Sequence, residues 1–218
     1  MSDSFSAWKE GAIHYLPTLV VGAVCLYFAA RGYKGAWVGV VLFGCYGLFA
    51  LLFFRDPSRA VTAEPREMVA PADGVVVGIE DLDESPHYGG PCRRVSVFMS
   101  VLDVHVNRAP FDGTVRAIKY RPGKYKNAMK AESSELNESN AVWMDTEHGP
   151  VTVRQISGAV ARRIVCKAKV GETLARGERF GMIKLGSRTE LYLPRDAEVC
   201  VKMKEKVRGG VSVVARFP

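Results

Sequence analysis

The sequence predicts a mainly β (β-rich α+β) domain with an N-terminal α-helical membrane hairpin, and three observations carry that expectation. Two long runs near the N-terminus are almost wholly apolar. Beyond Phe53-Phe54-Arg55-Asp56-Pro57 the pattern changes to short β-branched runs separated by Gly, Pro and Asp, with weak helical periodicity. Within that second region one turn-and-strand signature occurs twice. A chain of 218 residues accommodates one compact domain plus such an appendage. The expected boundaries are 1–55 for the hairpin and 56–218 for the β-rich domain.

The apolar runs come first. Ile13–Ala30 and Ala36–Phe54 contain no Asp, Glu, Lys or Arg over 18 and 19 residues. At about 1.5 Å per helical residue each comes close to the roughly 30 Å hydrocarbon thickness of a bilayer. A secretory signal has an apolar region of only about 7–15 residues and leaves the second run unexplained. A buried soluble helix pair needs more polar surface than either run offers. Arg31-Gly32-Tyr33-Lys34-Gly35 makes a short basic connection, so the two helices form an antiparallel hairpin. Basic residues lie at the tip (Arg31, Lys34) and after the second run (Arg55, Arg59, Arg66), so the positive-inside rule is divided. A re-entrant hairpin with snorkelling tip residues removes the conflict. Either arrangement holds 56–218 at a membrane, and the expected location is the cytoplasmic face of the cell membrane.

The formal net charge is +7, most of it in the polar domain. Juxtamembrane basic residues favour an anionic lipid surface. No zinc finger, RNP-like aromatic motif or helix-turn-helix pattern accompanies the charge, so nucleic acid is not an expected partner. Lys119, Arg121, Lys124, Lys126 and Lys130 form the densest basic run, read as a solvated loop ahead of a lipid-phosphate site. The five cysteines show no CxxC spacing and two lie inside the apolar runs, which excludes a disulfide framework and a zinc site and agrees with a reducing compartment.

In the polar domain the expected strands are Val75–Ile79, Arg94–Met99, Gly113–Ile118, Ala141–Asp145, Val151–Ile156 and Thr189–Leu193, with a further strand-like run over 180–185 and a short helix around Gly158–Arg163. Ala70-Pro71-Ala72-Asp73-Gly74-Val75-Val76 and Ala109-Pro110-Phe111-Asp112-Gly113-Thr114-Val115 share the pattern A-P-x-D-G-x-V. Pro followed by Asp-Gly specifies a turn into a strand, so the echo reads either as repeated turn chemistry alone or as two related β units packed together. Residues 170–178 have the turn spacing of biotinyl or lipoyl carrier domains. They lack the Met-Lys-Met hairpin of a swinging-arm carrier.

Four histidines are present. His14 lies at the edge of the first apolar run, and His87 and His148 read as exposed turn residues. His105 sits where an apolar strand runs into the polar cluster Val104-His105-Val106-Asn107-Arg108, a place suited to presenting an imidazole at a site. Position 107 is Asn, so no H-x-H pair forms and no metal is expected. Gly186-Ser187 lies between two strand-like runs. Alone, the pair reads as a glycine bend with a hydrogen-bonded serine. Combined with His105 as base and Asp73 as its orienter, Ser187 completes a nucleophile–base–orienter set. It precedes a strand instead of occupying a G-x-S-x-G elbow, which favours attack on its own preceding carbonyl.

The ordered set Phe53-Phe54-Arg55-Asp56-Pro57, Ala70-Pro71-Ala72-Asp73-Gly74, Val104-His105-Val106-Asn107-Arg108 and Leu185-Gly186-Ser187-Arg188 resembles the phosphatidylserine decarboxylase proenzymes in their short form, over nearly the whole chain. The resemblance implies a pyruvoyl-dependent carboxy-lyase that converts phosphatidylserine in the membrane to phosphatidylethanolamine. Its covalent pyruvoyl group would derive from Ser187 by serinolysis of the Gly186–Ser187 bond. The cut large and small chains would stay associated, and His105, oriented by Asp73, would act in both cleavage and decarboxylation. Longer members read L-G-S-T at the junction, so the role of Arg188 and the oligomeric state stay open. A reading from a different class is a non-catalytic, membrane-anchored β adaptor or lipid-binding module, which would show no self-cleavage.

Overall fold

The computed structural model describes residues 5–159, 163–184 and 186–218. The chain divides into two compact units, Ser6–Pro57 and Ser58–Pro218, the second taking in Phe5.

The first unit is the expected helical hairpin. Helix α1 spans Ala7–Ala30 and α2 spans Ala36–Phe53, and both are long and apolar enough to cross a membrane. Their 24 and 18 residues correspond to about 36 and 27 Å of axis. Helix α1 begins six residues before the apolar run and tolerates Pro17 inside it. The freed backbone polarity nearby is met locally, because Thr18 Oγ1 donates to the His14 carbonyl at 2.6 Å. His14 stacks on Phe54 with ring centroids 5.3 Å apart, and its Nδ1 lies 3.3 Å from the Tyr46 hydroxyl.

The second unit is built from antiparallel strands. The main sheet has eight strands in the order β13-β2-β3-β11-β7-β6-β5-β9. They are β2 (Gly74–Leu82), β3 (Cys92–Met99), β5 (Gly113–Arg121), β6 (Ser139–Thr146), β7 (Gly149–Ile156), β9 (Thr173–Leu174), β11 (Ser187–Pro194) and β13 (Lys206–Val207). Two three-stranded sheets complete it, β1 (Glu67–Val69) with β14 (Val213–Arg216) and β12 (Glu198–Val199), and β4 (Val106–Arg108) with β10 (Arg179–Ile183) and β8 (Ile164–Cys166). A single turn of helix, α3 (Ser133–Leu136), lies in the loop between β5 and β6. All six strands expected from the sequence form, each extended by two to four residues. β11 begins at Ser187 itself, two residues earlier than expected. Residues 160–162 of the short helix expected over Gly158–Arg163 lie outside the described residues, and Ser157–Ala159 are not helical.

The repeated turns have matching places. Gly74 opens β2 and Gly113 opens β5. The turns bond to each other reciprocally: Val69 N–H donates to the Pro110 carbonyl and Arg108 N–H to the Pro71 carbonyl, both at 2.9 Å. Each Asp accepts a backbone N–H from a second turn, Asp73 from Gly209 at 2.8 Å and Asp112 from Arg176 at 3.0 Å. Glycine is required at the first of these strand openings, since Gly74 has φ +151° and a Cβ there would lie 2.1 Å from the Phe98 carbonyl oxygen. One core unites the two halves. Met68, Val76, Val97, Phe111, Val115, Val153, Phe180, Leu191 and Phe217 are among its buried members. Smaller packing of Ala72 on Met99 and Ile183 sits beside it.

Candidate active site

Strand β11 lies in the middle of the main sheet, paired to β3 on one side and β7 on the other. Ser187, its first residue, pairs with Met99, the last residue of β3. The chain therefore enters a position paired to β3 directly from Gly186, whose φ of +64° is left-handed and suits glycine. Ser187 is fully buried, and its Oγ has no hydrogen-bond partner among the described residues. Buried hydroxyls are rarely left so, because an unmet donor costs about 1–3 kcal/mol. An orphaned hydroxyl beside a left-handed glycine is the arrangement a nucleophile aimed at that glycine's carbonyl needs.

His105 reaches the same junction from the turn between β3 and β4. Its side chain is fully buried. Nδ1 lies 2.9 Å from the Asp103 carbonyl, and Nε2 accepts the Gly186 N–H at 3.3 Å. A carbonyl accepts only, so Nδ1 carries the proton and the Nε2 lone pair faces the junction. The backbone is tied in as well, since Ile183 N–H donates to the His105 carbonyl.

The structure thus brings together Gly186, Ser187 and His105, three of the four residues singled out from the sequence. The Asp73 carboxylate is held by a two-pronged pair with Arg59, one contact of which is 2.8 Å, and by the Gly209 N–H. The matching Asp112 bonds the facing turn in the same way, so Asp73 serves the turn that opens β2. The orienting contact on His105 comes from the Asp103 backbone carbonyl. Leu185, part of the Leu185-Gly186-Ser187-Arg188 stretch, lies outside the described residues.

Three further features were not anticipated. Gly158 packs against the junction so closely that a Cβ there would lie 1.8 Å from the Gly186 carbonyl oxygen. The only sequence signal was the glycine itself. A buried amide relay lies on the same side of β11 as Ser187. Asn107 donates to Thr189 Oγ1 at 3.4 Å, Gln155 to Asn107 at 2.8 Å, and Asn140 to Gln155 at 3.0 Å. On the opposite side Glu190, fully buried, is a hub. Arg154 lies 3.3 Å away, Arg188 Nε 3.1 Å and Arg94 3.8 Å, while Tyr192 donates at 2.7 Å and Ser134 at 2.5 Å. Burial alone would raise the Glu190 pKa, but Arg154, Arg188 and Arg94 together outweigh it and hold the carboxyl below the usual carboxylate range. Burial lowers the pKa of Arg188, against the opposing pull of Glu190. Arg188 also donates to Ser96 on β3 at 2.8 Å.

The remaining histidines are placed away from this chemistry. His87, expected to be an exposed turn residue, is half-buried against the rings of Tyr192 and Trp143, at 5.6 and 6.5 Å. Burial first, then Arg154, lowers its pKa to about 4. His148 packs on Phe111 and Phe217. No cluster of His, Cys, Asp or Glu among the described residues is arranged to hold a metal.

The sequence profile of the family described as phosphatidylserine decarboxylase matches residues 46–215. A phosphatidylserine decarboxylase proenzyme of Magnetococcus marinus is 44% identical over 198 residues, covering 89% of this chain and 91% of that protein. One of Carboxydothermus hydrogenoformans is 42% identical, covering 83% and 85%. One of Syntrophus aciditrophicus is 38% identical and covers 99% of both chains.

Proposed function

The chain belongs to the phosphatidylserine decarboxylase family, and from that premise we propose that its chemistry is generated at Gly186–Ser187, with Ser187 as the nucleophile of self-cleavage and His105 as its base. It is a carboxy-lyase that removes the carboxyl group of the serine headgroup of phosphatidylserine and leaves phosphatidylethanolamine. The observation that carries the assignment is the buried, partnerless Ser187 Oγ beside a left-handed Gly186 whose N–H is held by His105 Nε2.

The steps follow from these atoms. His105 Nε2 takes the Ser187 hydroxyl proton, and Oγ attacks the Gly186 carbonyl carbon. The peptide C–N bond breaks as the nitrogen is protonated, leaving an ester between Gly186 and the Ser187 side chain. Loss of the residue 187 α-proton expels the Gly186 carboxylate and leaves dehydroalanine. Addition of water and loss of ammonia turn that residue into a pyruvoyl group. Holding Oγ against its own carbonyl supplies an effective molarity of order 10⁵ M or more for well-aligned groups. Ser187 fits this conversion, being buried, unbonded and first in its strand. The pyruvoyl ketone supplies a carbonyl that takes up the substrate amine and draws electrons from the carbon–carbon bond being broken. Thr189, Asn107 and Gln155 keep the surrounding space polar. His105 Nε2 returns a proton to the substrate carbon from which carbon dioxide departs.

The two apolar helices associate the enzyme with a membrane, where its substrate lies. We place the β domain on the cytoplasmic face and hold that the two chains stay together after the cut, because β11 is flanked on both sides by strands of the longer piece. Intact-mass measurement tests the reading. Active wild-type protein is expected as two chains, the smaller with a blocked first residue at 187. Active protein that runs as one full-length species would overturn it. His105→Ala is expected to stall both cleavage and turnover, and wild-type rates in that variant would remove its role.

A further inference from the structure

The segments bordering Gly186–Ser187 carry exposed apolar and basic side chains that the proposed chemistry does not use. The turn Ser100–Asp103 joins the end of β3, which pairs with Ser187, to His105. At its tip Leu102 is 76% exposed and Val101 37%. Asp103 is not offered at that tip, because its carboxylate is turned back onto the N–H and hydroxyl of Ser100. The loop 122–132 reaches the junction from another direction. Gly158, packed on the Gly186 carbonyl, lies against Ala128, which is buried. Met129, next to Ala128, is 57% exposed, and Tyr125 is 39% exposed. Lys124, Lys126 and Lys130 are exposed in the same loop, and Arg163 is exposed near the junction, where Lys184 N–H donates to its carbonyl. Glu132 is the one exposed acidic residue in that loop.

Leu102 and Met129 are large apolar side chains held mostly exposed on two loops that border the junction. A bilayer interface has both an apolar boundary for such side chains and anionic headgroups for the lysines. We propose that the Ser100–Asp103 turn and the 122–132 loop form a second membrane contact, separate from the helical hairpin. In it Leu102 and Met129 enter the headgroup–acyl boundary of an anionic phospholipid surface while Lys124, Lys126 and Lys130 face its headgroups. This contact seats the opening at Gly186–Ser187 on the lipid surface, so that a headgroup reaches the site while its acyl chains stay in the bilayer. The inference rests on the decarboxylase reading above.

The test uses the full-length enzyme in phosphatidylglycerol–phosphatidylcholine vesicles. Leu102→Ser with Met129→Ser is expected to cleave into two chains like wild type and to keep its kcat. Its KM for long-chain phosphatidylserine, expressed as mole fraction, should rise about ten-fold. Dihexanoyl phosphatidylserine supplied from water, below its aggregation concentration, should be turned over as by wild type. Unchanged KM on the long-chain lipid, or equal loss on both substrates, overturns the contact. Wild type inactive on both lipids would instead defeat the decarboxylase reading. Independently, Leu102→Trp in a Trp8→Phe, Trp37→Phe background should be quenched by lipids brominated near the carboxyl end of their acyl chains. A residue 102 signal left unquenched, whether water-exposed or blue-shifted beneath another protein copy, would also overturn it. Lys124, Lys126 and Lys130 changed together to Ala should weaken the dependence of KM on phosphatidylglycerol content, and an unchanged dependence removes their part.

Discussion

The two faces of β11 are both buried and are built in opposite ways. On one, Ser187 leaves its hydroxyl unbonded beside Gly186, with Thr189 and then Leu191 continuing into an amide relay and the apolar core. On the other, Glu190 is bonded by more groups than its two oxygens require, including three guanidinium groups, a tyrosine and a serine. The difference separates two tasks within one strand. The charged face fixes the strand to β3, β7 and the α3 turn. The polar face can therefore leave the Ser187 hydroxyl without a partner among the described residues and still keep it in place.

The largest way to break this contrast is Ser187→Ala. It should abolish cleavage and turnover, a loss of at least about 10⁴-fold, yet leave thermal stability equal or higher, because an unmet buried hydroxyl is gone. Mass spectrometry and melting of the same sample check both parts. On the other face, Glu190→Leu strands two buried cations, Arg154 and Arg188, and should cost about 3–5 kcal/mol, read as a lowered denaturation midpoint in detergent. If Glu190→Leu melted like wild type, the hub would not be what pins the strand. Gly158→Ala comes next. The added methyl must push the Gly186 carbonyl aside, so cleavage in a pulse-chase should slow by about 10²-fold while the folded population persists.

The pH responses sharpen the comparison at a smaller scale. Glu190 has a folded pKa below its ordinary value of 4.5, so its stabilisation is complete above that value and is lost as pH falls through the lowered one. Glu190→Gln should therefore lose less stability than wild type across that acid range. His87 behaves differently. Its pKa falls from 6.5 to about 4 in the fold, so the unfolded chain binds the proton first and stability declines as pH drops through that window. His87→Gln should flatten the decline, the smallest effect of the set, measurable by chemical denaturation at a series of pH values.

The comparison also explains what could be read from the sequence. The helical hairpin, the six longer strands and the twin turns were legible because each is written in local pattern: apolar run length, alternation, and Pro with Asp-Gly. Strands β1, β4, β8, β9 and β12 to β14 were missed. They are two to four residues long and exist only because a distant segment pairs with them. At the site, Ser187, Gly186 and His105 were found from residue type and position. Asp73 was singled out with them as an orienter; an Asp-Gly turn and a catalytic carboxylate look alike in sequence, and in the fold its carboxylate bonds Arg59 and the Gly209 N–H. The Glu190 hub was hidden for a related reason. Arg188, Glu190 and Tyr192 alternate with apolar positions as a solvent-facing row would, and only the α3 turn and its flanking loop cover them.

The sheet order has a consequence for how this polypeptide could be divided. Residues 187–218 supply β11 to the middle of the main sheet, β13 to its edge, and β12 and β14 to a separate sheet with β1. A segment that contributes so many separate pairings behaves less like a tail than like one half of a split protein. Residues 1–186, expressed alone, should expose a gap between β3 and β7 that a separately made 187–218 fragment fills. Fragment complementation would then offer a route to place chosen chemical groups at position 187 without any cleavage step.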